Sequence, residues 1–282
     1  MAEEQVPMAG VAMTAVGVAV IRATESERAD RLYDDPLARD FVAAARLGFE
    51  GTEDGRARWA RVEALAAKFF DGRSLTVRVI DDEIVRAVDN GCSQLVLFGA
   101  GLDTRAYRMA LPARVRLFEI DLPELFAFKE PILAAAGATA TCARQVVAAD
   151  LRADWVSALV ASGYRADLPA HWVDEGVLDY LPHADALRLA EWMTEISAPA
   201  SSFALGRFDV APQRERYAEL GRLVGATASA DRRGLGPDGE RWLAEHGWRT
   251  RFHPWDDLVE SFGRPEMAGG SAAGLVRAVR LP

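Results

Sequence analysis

The chain has 282 residues, half of them apolar, with 33 basic and 42 acidic side chains and a formal charge of −9. A chain of this length buries about three quarters of its unfolded surface, so its core needs no covalent staples, and the acidic balance argues against the basic face that nucleic acid requires. Two cysteines, Cys92 and Cys142, stand in no ligand or redox spacing, so neither a disulfide framework nor a metal site is expected.

The apolar run Met8 to Ile21 has 14 residues and follows Glu3 and Glu4. It is short for a membrane span and lacks the positive charge of a secretory signal, so a cytoplasmic protein with no membrane contact is expected. Residues 8–90 predict helices alone, over 8–24, 36–47, 56–70 and 75–90, with Asp35-Pro36 as an N-cap and first-turn pair. From Gln94 the pattern changes to short β-branched runs alternating with helical stretches, the signature of an α/β fold with a mostly parallel sheet. Seven strands are predicted: Leu95–Phe98, Val115–Ile120, Gln145–Ala149, His171–Glu175, Phe203–Phe208, Trp248–His253 and Leu275–Leu281. The helices between them fall at 103–110, 122–137, 153–162, 184–197 and 212–225, with a short one at 255–263. The last two strands fit an antiparallel edge. Residues 234–239 and 269–274 are glycine-rich surface loops, and Trp172, Trp192, Trp242 and Trp248 are core candidates.

The strongest local feature is Leu95-Val-Leu-Phe-Gly99-Ala100-Gly101-Leu-Asp103-Thr-Arg105, a buried strand running into a glycine turn that opens a helix. Gly99 permits the turn, and Gly101 lets a ligand approach the backbone. The next strand ends in Glu119-Ile-Asp121, where an acid can accept both hydroxyl hydrogens of a ribose. Ala149-Asp150-Leu151 and Asp174-Glu175-Gly176 end the following two strands, so polar groups recur where open α/β sheets bind ligands. Asp150 is equally placed to be a helix N-cap. A dinucleotide site usually has a third glycine; here Thr104 stands there, and Asp103 puts negative charge where a pyrophosphate would lie. A phosphate-free, positively charged adenosine cofactor, S-adenosylmethionine, fits better, with a nicotinamide dinucleotide as the second candidate.

The sequence resembles the leucine carboxyl methyltransferase and polyketide carboxyl O-methyltransferase family, in its bacterial branch, over nearly its whole length. The matching runs are Thr14-Ala-Val-Gly-Val-Ala-Val-Ile-Arg22-Ala-Thr-Glu25, Asp35-Pro-Leu-Ala38, Gln94 through Arg108, Phe118-Glu-Ile-Asp-Leu-Pro123, Asp150-Leu-Arg152, Glu175-Gly-Val-Leu-Asp-Tyr-Leu-Pro182 and Trp242-Leu-Ala-Glu-His-Gly-Trp248. The resemblance implies a Rossmann-like class I methyltransferase fold: a seven-stranded sheet with one antiparallel strand over residues 91–282, and a helical N-terminal lid over 1–90, in a single structural unit. It also implies that Gly99, Ala100 and Gly101 line the methionine part of the cofactor, Asp121 and Leu122 the ribose, Asp150 and Leu151 the adenine, and Glu175 and Gly176 the amino group and sulfonium. Arg22 sits where a basic residue holds the methionine carboxylate. Two departures stand out. The family's R-T-R cluster is Thr76-Val77-Arg78 here, so its first arginine is missing, and Arg78 or Arg73 must substitute. Asp179 takes a place commonly apolar, beside the expected methyl group.

Methyl transfer is an in-line displacement, so the protein mainly aligns and desolvates, and well-oriented pairs gain about 7–11 kcal/mol this way. A carboxylate acceptor arrives ionised and needs no base, whereas a phenol benefits from one. Asp179, Tyr180 and His253 are the catalytic candidates, with His183 as a further histidine near the pocket. The expected activity is O-methylation of a carboxylate, or a phenolic hydroxyl, on a small natural-product intermediate in secondary metabolism. Alternatives are a cofactor-binding protein that serves a non-methylating reaction, and a protein C-terminal carboxyl methyltransferase. The sequence leaves the oligomeric state open.

Overall fold

The structure is a computed structural model that describes residues 12–207, 219, 234–264 and 273–282. Three helices precede the first strand: α1 (Ala12–Ser26), α2 (Pro36–Glu50) and α3 (Glu53–Asp89). Asp35 caps α2, its Oδ1 accepting the Ala38 amide at 3.2 Å with Pro36 in the first turn. Thr52 caps α3 in the same way, Oγ1 accepting the Gly55 amide at 2.9 Å. The two helices expected over 56–70 and 75–90 are one. Apolar residues are buried on either side of Asp71-Gly72, Val62, Leu65 and Ala66 before it and Leu75, Val79 and Ile80 after it. A single internal glycine costs only about 1 kcal/mol, which that burial outweighs.

The sheet contains β1 (Gln94–Phe98), β2 (Arg116–Asp121), β3 (Ala143–Ala148), β4 (Ala170–Asp174), β5 (Ser202–Arg207), β6 (Trp248–Pro254) and β7 (Gly274–Arg280). Their order is β3-β2-β1-β4-β5-β7-β6. All pairings are parallel except those of β7 with β5 and β6, so the expected antiparallel edge is present. Phe98 is level with Ile120 of β2 and with Asp174 of β4, which brings the carboxyl ends of these three strands side by side.

The remaining described helices are α4 (Arg105–Arg108), α5 (Pro123–Ala135), α6 (Trp155–Ala161), α7 (His183–Glu195), α8 (Gly239–Glu245) and α9 (Trp255–Val259), with 3-10 turns at Leu178–Tyr180 and Glu260–Phe262. The helix expected over 103–110 is a single turn. Asp103 Oδ1 takes the Arg105 amide at 2.7 Å before the turn, and Met109 leaves it in an extended conformation. The helix expected at 212–225 lies outside the described residues except for Glu219, and the loop at 269–274 does so except for its last two.

Both central strands, β1 and β4, are buried along their whole length. On one face Val96 and Phe98 pack with Trp155, Trp172 and Phe203; on the other Leu95 and Leu97 pack against Leu75, Val79, Ile80, Ile84 and Val88 of α3. Alternation along β1 thus feeds two cores. Trp172 and Trp248 are fully enclosed, whereas Trp192 and Trp242 are partly so. A third cluster joins α1, α2, α3 and α5 through Val16, Phe41, Phe49, Trp59, Leu125 and Phe128. No described helix is long and apolar enough to cross a membrane.

Candidate functional site

The glycine turn after β1 is built by two left-handed residues, Gly99 (φ +59°) and Gly101 (φ +51°). A Cβ on Gly99 would lie 2.7 Å from Val177 Cβ, so this glycine lets the segment after β4 close onto the turn. The Gly101 amide donates to Asp121 Oδ2 at 2.6 Å, and the Leu122 amide to Asp121 Oδ1 at 2.7 Å. Burial raises the Asp121 carboxyl above its ordinary pKa, and these two amides oppose the rise. Asp121 therefore bridges the ends of β1 and β2.

A cleft opens above these strand ends. Helix α1 supplies Thr14, Ala15, Val18 and Arg22 to its wall, and α3 supplies Arg73 and Val77. Of the residues expected at the site, Arg22, Gly99, Ala100, Gly101, Asp121, Leu122, Glu175, Gly176 and Tyr180 line this one cleft.

Five others do not. Arg78 pairs with Asp82 at 2.9 Å, donates to the Leu32 carbonyl at 2.9 Å and lies over the Phe262 ring. On α3, residues 73 and 77 share a face, whereas residue 78 is turned roughly 140° from residue 73; Arg73, not Arg78, faces the cleft. The Asp150 carboxylate takes the backbone amide and guanidinium of Arg152, at 2.8 Å and 2.6 Å, and Leu151 packs into the core beside Trp155. His253 is on edge strand β6, its Nε2 3.0 Å from Arg277, which pairs with Glu83. Asp179 lies on the 3-10 turn next to Gly234, exposed and outside the cleft lining. His183 is also elsewhere, its Nδ1 2.7 Å from the Gly234 carbonyl at the start of α7. The other strand-end acid, Glu119, is fully buried in ion pairs with Lys129 at 2.6 Å and Arg144 at 2.7 Å, a structural role.

Asp103 does not present the free negative charge that its position suggests. Its Oδ2 is 2.6 Å from the Arg105 guanidinium. Burial works against ionisation, but Arg105, aided by Lys129, Arg22 and Arg108, holds the carboxyl at about 2. Arg105 is a cleft residue that reasoning from strand ends overlooked, although it closes the quoted glycine run. It is 2% exposed and pairs with Asp81 at 2.7 Å, Asp103 at 2.6 Å and Glu175 at 2.7 Å.

Two buried polar atoms in the cleft wall have no hydrogen-bond partner, Arg22 Nε and Glu175 Oε1. The rest of Arg22 is committed: Nη2 donates to the Leu102 carbonyl at 2.5 Å and Nη1 is 3.1 Å from Asp35 Oδ2. Glu175 Oε2 is committed to Arg105. A spare cationic donor and a spare anionic acceptor in one cleft match an amino acid zwitterion, carboxylate toward Arg22 and ammonium toward Glu175. The residues present therefore fit S-adenosylmethionine.

A sheet in this order with only β7 reversed, a glycine turn after β1 and an acid closing β2 define a class I S-adenosylmethionine-dependent methyltransferase. Solved structures agree on the fold. One from Thermobifida fusca YX, provisionally described as a methyltransferase, superposes with a TM-score of 0.59 at 16% identity, covering 99% of this chain and 97% of that one. A DUF574 family protein from Streptomyces avermitilis gives 0.56 at 14% identity, covering 94% and 97%. The family described as leucine carboxyl methyltransferase matches residues 15–194. A protein of Streptomyces coelicolor is 41% identical over 286 residues, covering 99% of this chain and 98% of its own, and one of Parafrankia sp. is 40% identical over 271 residues, covering 94% and 86%. The names of both provisionally assign S-adenosyl-L-methionine-dependent methyltransferase activity. The chain belongs to the leucine carboxyl methyltransferase family, and its cofactor is S-adenosylmethionine.

Proposed function

We propose that this methyltransferase transfers a methyl group to a carboxylate oxygen of a small molecule. The observation that carries the cofactor half of this reading is the pair of buried atoms with no hydrogen-bond partner, Arg22 Nε and Glu175 Oε1. Arg22 binds the methionine carboxylate, Glu175 the ammonium and Asp121 the ribose hydroxyls, while Leu122 and Leu125 give the adenosine an apolar wall. When bound, the cofactor supplies a methyl carbon already activated by its sulfonium. Gly176 and Tyr180 border the part of the cleft next to Glu175, where the acceptor would be aligned and water displaced.

A carboxylate acceptor suits the groups this chain offers. The carboxylates of the lining are engaged, Asp103 and Glu175 by Arg105 and Asp121 by two amides. None of the described lining residues is a histidine. An acceptor that arrives ionised needs no proton removed, whereas a phenol near its reference pKa of about 10 would. The family's own description, leucine carboxyl methyltransferase, points to the same acceptor group.

The test is to incubate purified protein and S-adenosylmethionine with a panel of small carboxylic acids, phenols and short peptides with free C-termini. The expected product has gained one methyl and loses it to hydroxylamine, as an ester does. A hydroxylamine-stable methyl ether would replace the acceptor assignment with a phenol, and a methylated peptide would replace it with a protein C-terminus.

A further inference from the structure

Two residues of the cleft lining, Glu175 and Arg22, are joined by a chain of ion pairs. Glu175 Oε2 is 2.7 Å from Arg105 Nη1, and Arg105 Nε is 2.7 Å from Asp81 Oδ1. Asp81 Oδ2 is 2.6 Å from Arg108 Nη1; Arg108 Nε is 4.0 Å from Asp35 Oδ2, and that oxygen is 3.1 Å from Arg22 Nη1. Between Glu175 and Arg22, Asp35, Asp81 and Arg105 are buried, and the Arg108 side chain is 4% exposed. The chain crosses four elements, with Arg22 on α1, Asp35 capping α2, Asp81 on α3, and Arg105 and Arg108 on α4.

We propose that Arg105 is a positioning residue for the amino acid end of the cofactor, fixing Glu175 so that one carboxylate oxygen remains turned into the cleft. The inference rests on Glu175 as the ammonium partner. A glutamate at the end of a strand has three rotatable bonds, and a second cation stands close by: Arg73 Nη1 is 3.9 Å from Glu175 Oε1 and donates to the Glu175 carbonyl at 2.9 Å. Arg105 decides between the two arrangements because it cannot follow Glu175. Its guanidinium is anchored by Asp103 in its own turn and by Asp81 on α3, and a fork held at two carboxylates presents the third contact in a fixed direction. Without that anchor Glu175 is free to turn onto Arg73 and withdraw its acceptor from the cofactor.

The test compares two ligands by calorimetry. S-adenosylhomocysteine carries the amino acid; 5′-methylthioadenosine shares the adenosine and sulfur but lacks it. Arg105→Lys keeps the charge and loses the fork, and it is expected to weaken S-adenosylhomocysteine by about tenfold or more while leaving 5′-methylthioadenosine within about twofold. In a Glu175→Gln background the same change is expected to add no further loss. An equal loss for both ligands, or no loss for either, overturns the proposal. Wild-type protein that binds the two ligands equally well removes the Glu175 assignment itself, a separate failure. Should Arg105→Lys not fold, Glu175→Asp draws the carboxylate back from Arg105 by one methylene. It is expected to show the same selective loss, and wild-type affinity for S-adenosylhomocysteine in that variant overturns the proposal as well.

Discussion

Asp121 and Asp174 show how two buried carboxylates at strand ends acquire different work. Asp121 accepts two amides yet remains in the cleft wall, and an ordered acceptor toward a ribose loses affinity when truncated. Asp121→Ala is expected to weaken S-adenosylhomocysteine and 5′-methylthioadenosine alike, by at least tenfold or about 1.4 kcal/mol, because both carry the ribose; calorimetry reads both, and unchanged binding removes the assignment. Asp174 faces inward instead, 3% exposed, accepting the Val177 and Leu178 amides at 2.9 Å and 3.1 Å. Burial, with the Asp179 charge adding to it, pushes its carboxyl up to about 7 against the pull of those amides. The folded state thus holds the proton more tightly than the unfolded chain, whose carboxyl titrates near 3.8. The stability from this group is complete below the unfolded value and disappears as pH rises through about 7. Asp174→Asn, which cannot titrate, should gain on the wild type as pH climbs across that window, measured as the difference in Tm between the two; a difference independent of pH would refute the assigned titration.

At the scale of elements, the glycine turn and the segment after β4 are fitted to each other. Gly99→Ala combines a left-handed φ with a methyl 2.7 Å from Val177 Cβ and Cγ2, and a loss of about 2–3 kcal/mol in urea unfolding is expected. Val177→Gly removes both colliding atoms but not the backbone strain at residue 99, so the double variant should be more stable than the sum of the two singles by about 1 kcal/mol; strict additivity would show that the contact is slack. Much of this region was legible in sequence. Strand runs bounded by Gly99, Asp121 and Glu175 fall within two residues of the observed β1, β2 and β4, because β-branched runs and glycine turns are local signals. Phase along α3 was not legible. A break between residues 70 and 75 hid that residues 73 and 77 share the face toward the cleft, so Arg78 stood as an alternative to Arg73. Asp103 is two residues from Arg105, but the partners Asp81 and Glu175 come from distant segments that the packing of α3 and the sheet register bring to it.

For the whole molecule, the decisive relation is between the helices before residue 90 and the sheet that follows. A cap set upon an independent domain would leave the sheet's own core closed without it. Here Leu75, Val79, Ile80, Ile84 and Val88 of α3 share a core with Leu95, Leu97, Leu117, Val173 and Leu275. At about 1.5–3 kcal/mol for each such side chain, removing α3 withdraws on the order of 10 kcal/mol, comparable to the total stability of an ordinary domain. Removing residues 1–90 as a whole also strips Asp81 from Arg105 and Arg108, and Asp35 from Thr104, and unpaired buried arginines cost several kcal/mol more. Residues 91–282 expressed alone are therefore expected to aggregate or to melt without cooperativity, followed by size exclusion and circular dichroism. A soluble fragment with a sharp transition and retained 5′-methylthioadenosine binding would make the helices a detachable cover. α1 differs from α3, because it enters the cleft wall through Thr14, Ala15, Val18 and Arg22 and none of its residues belongs to the two cores that flank β1. Deleting residues 1–30 should therefore cost S-adenosylhomocysteine affinity more than it costs the cooperative melt of the sheet, and loss of the melt along with the affinity would show that the ion-pair chain ending at Arg22 is as necessary to folding as the apolar layer beneath it.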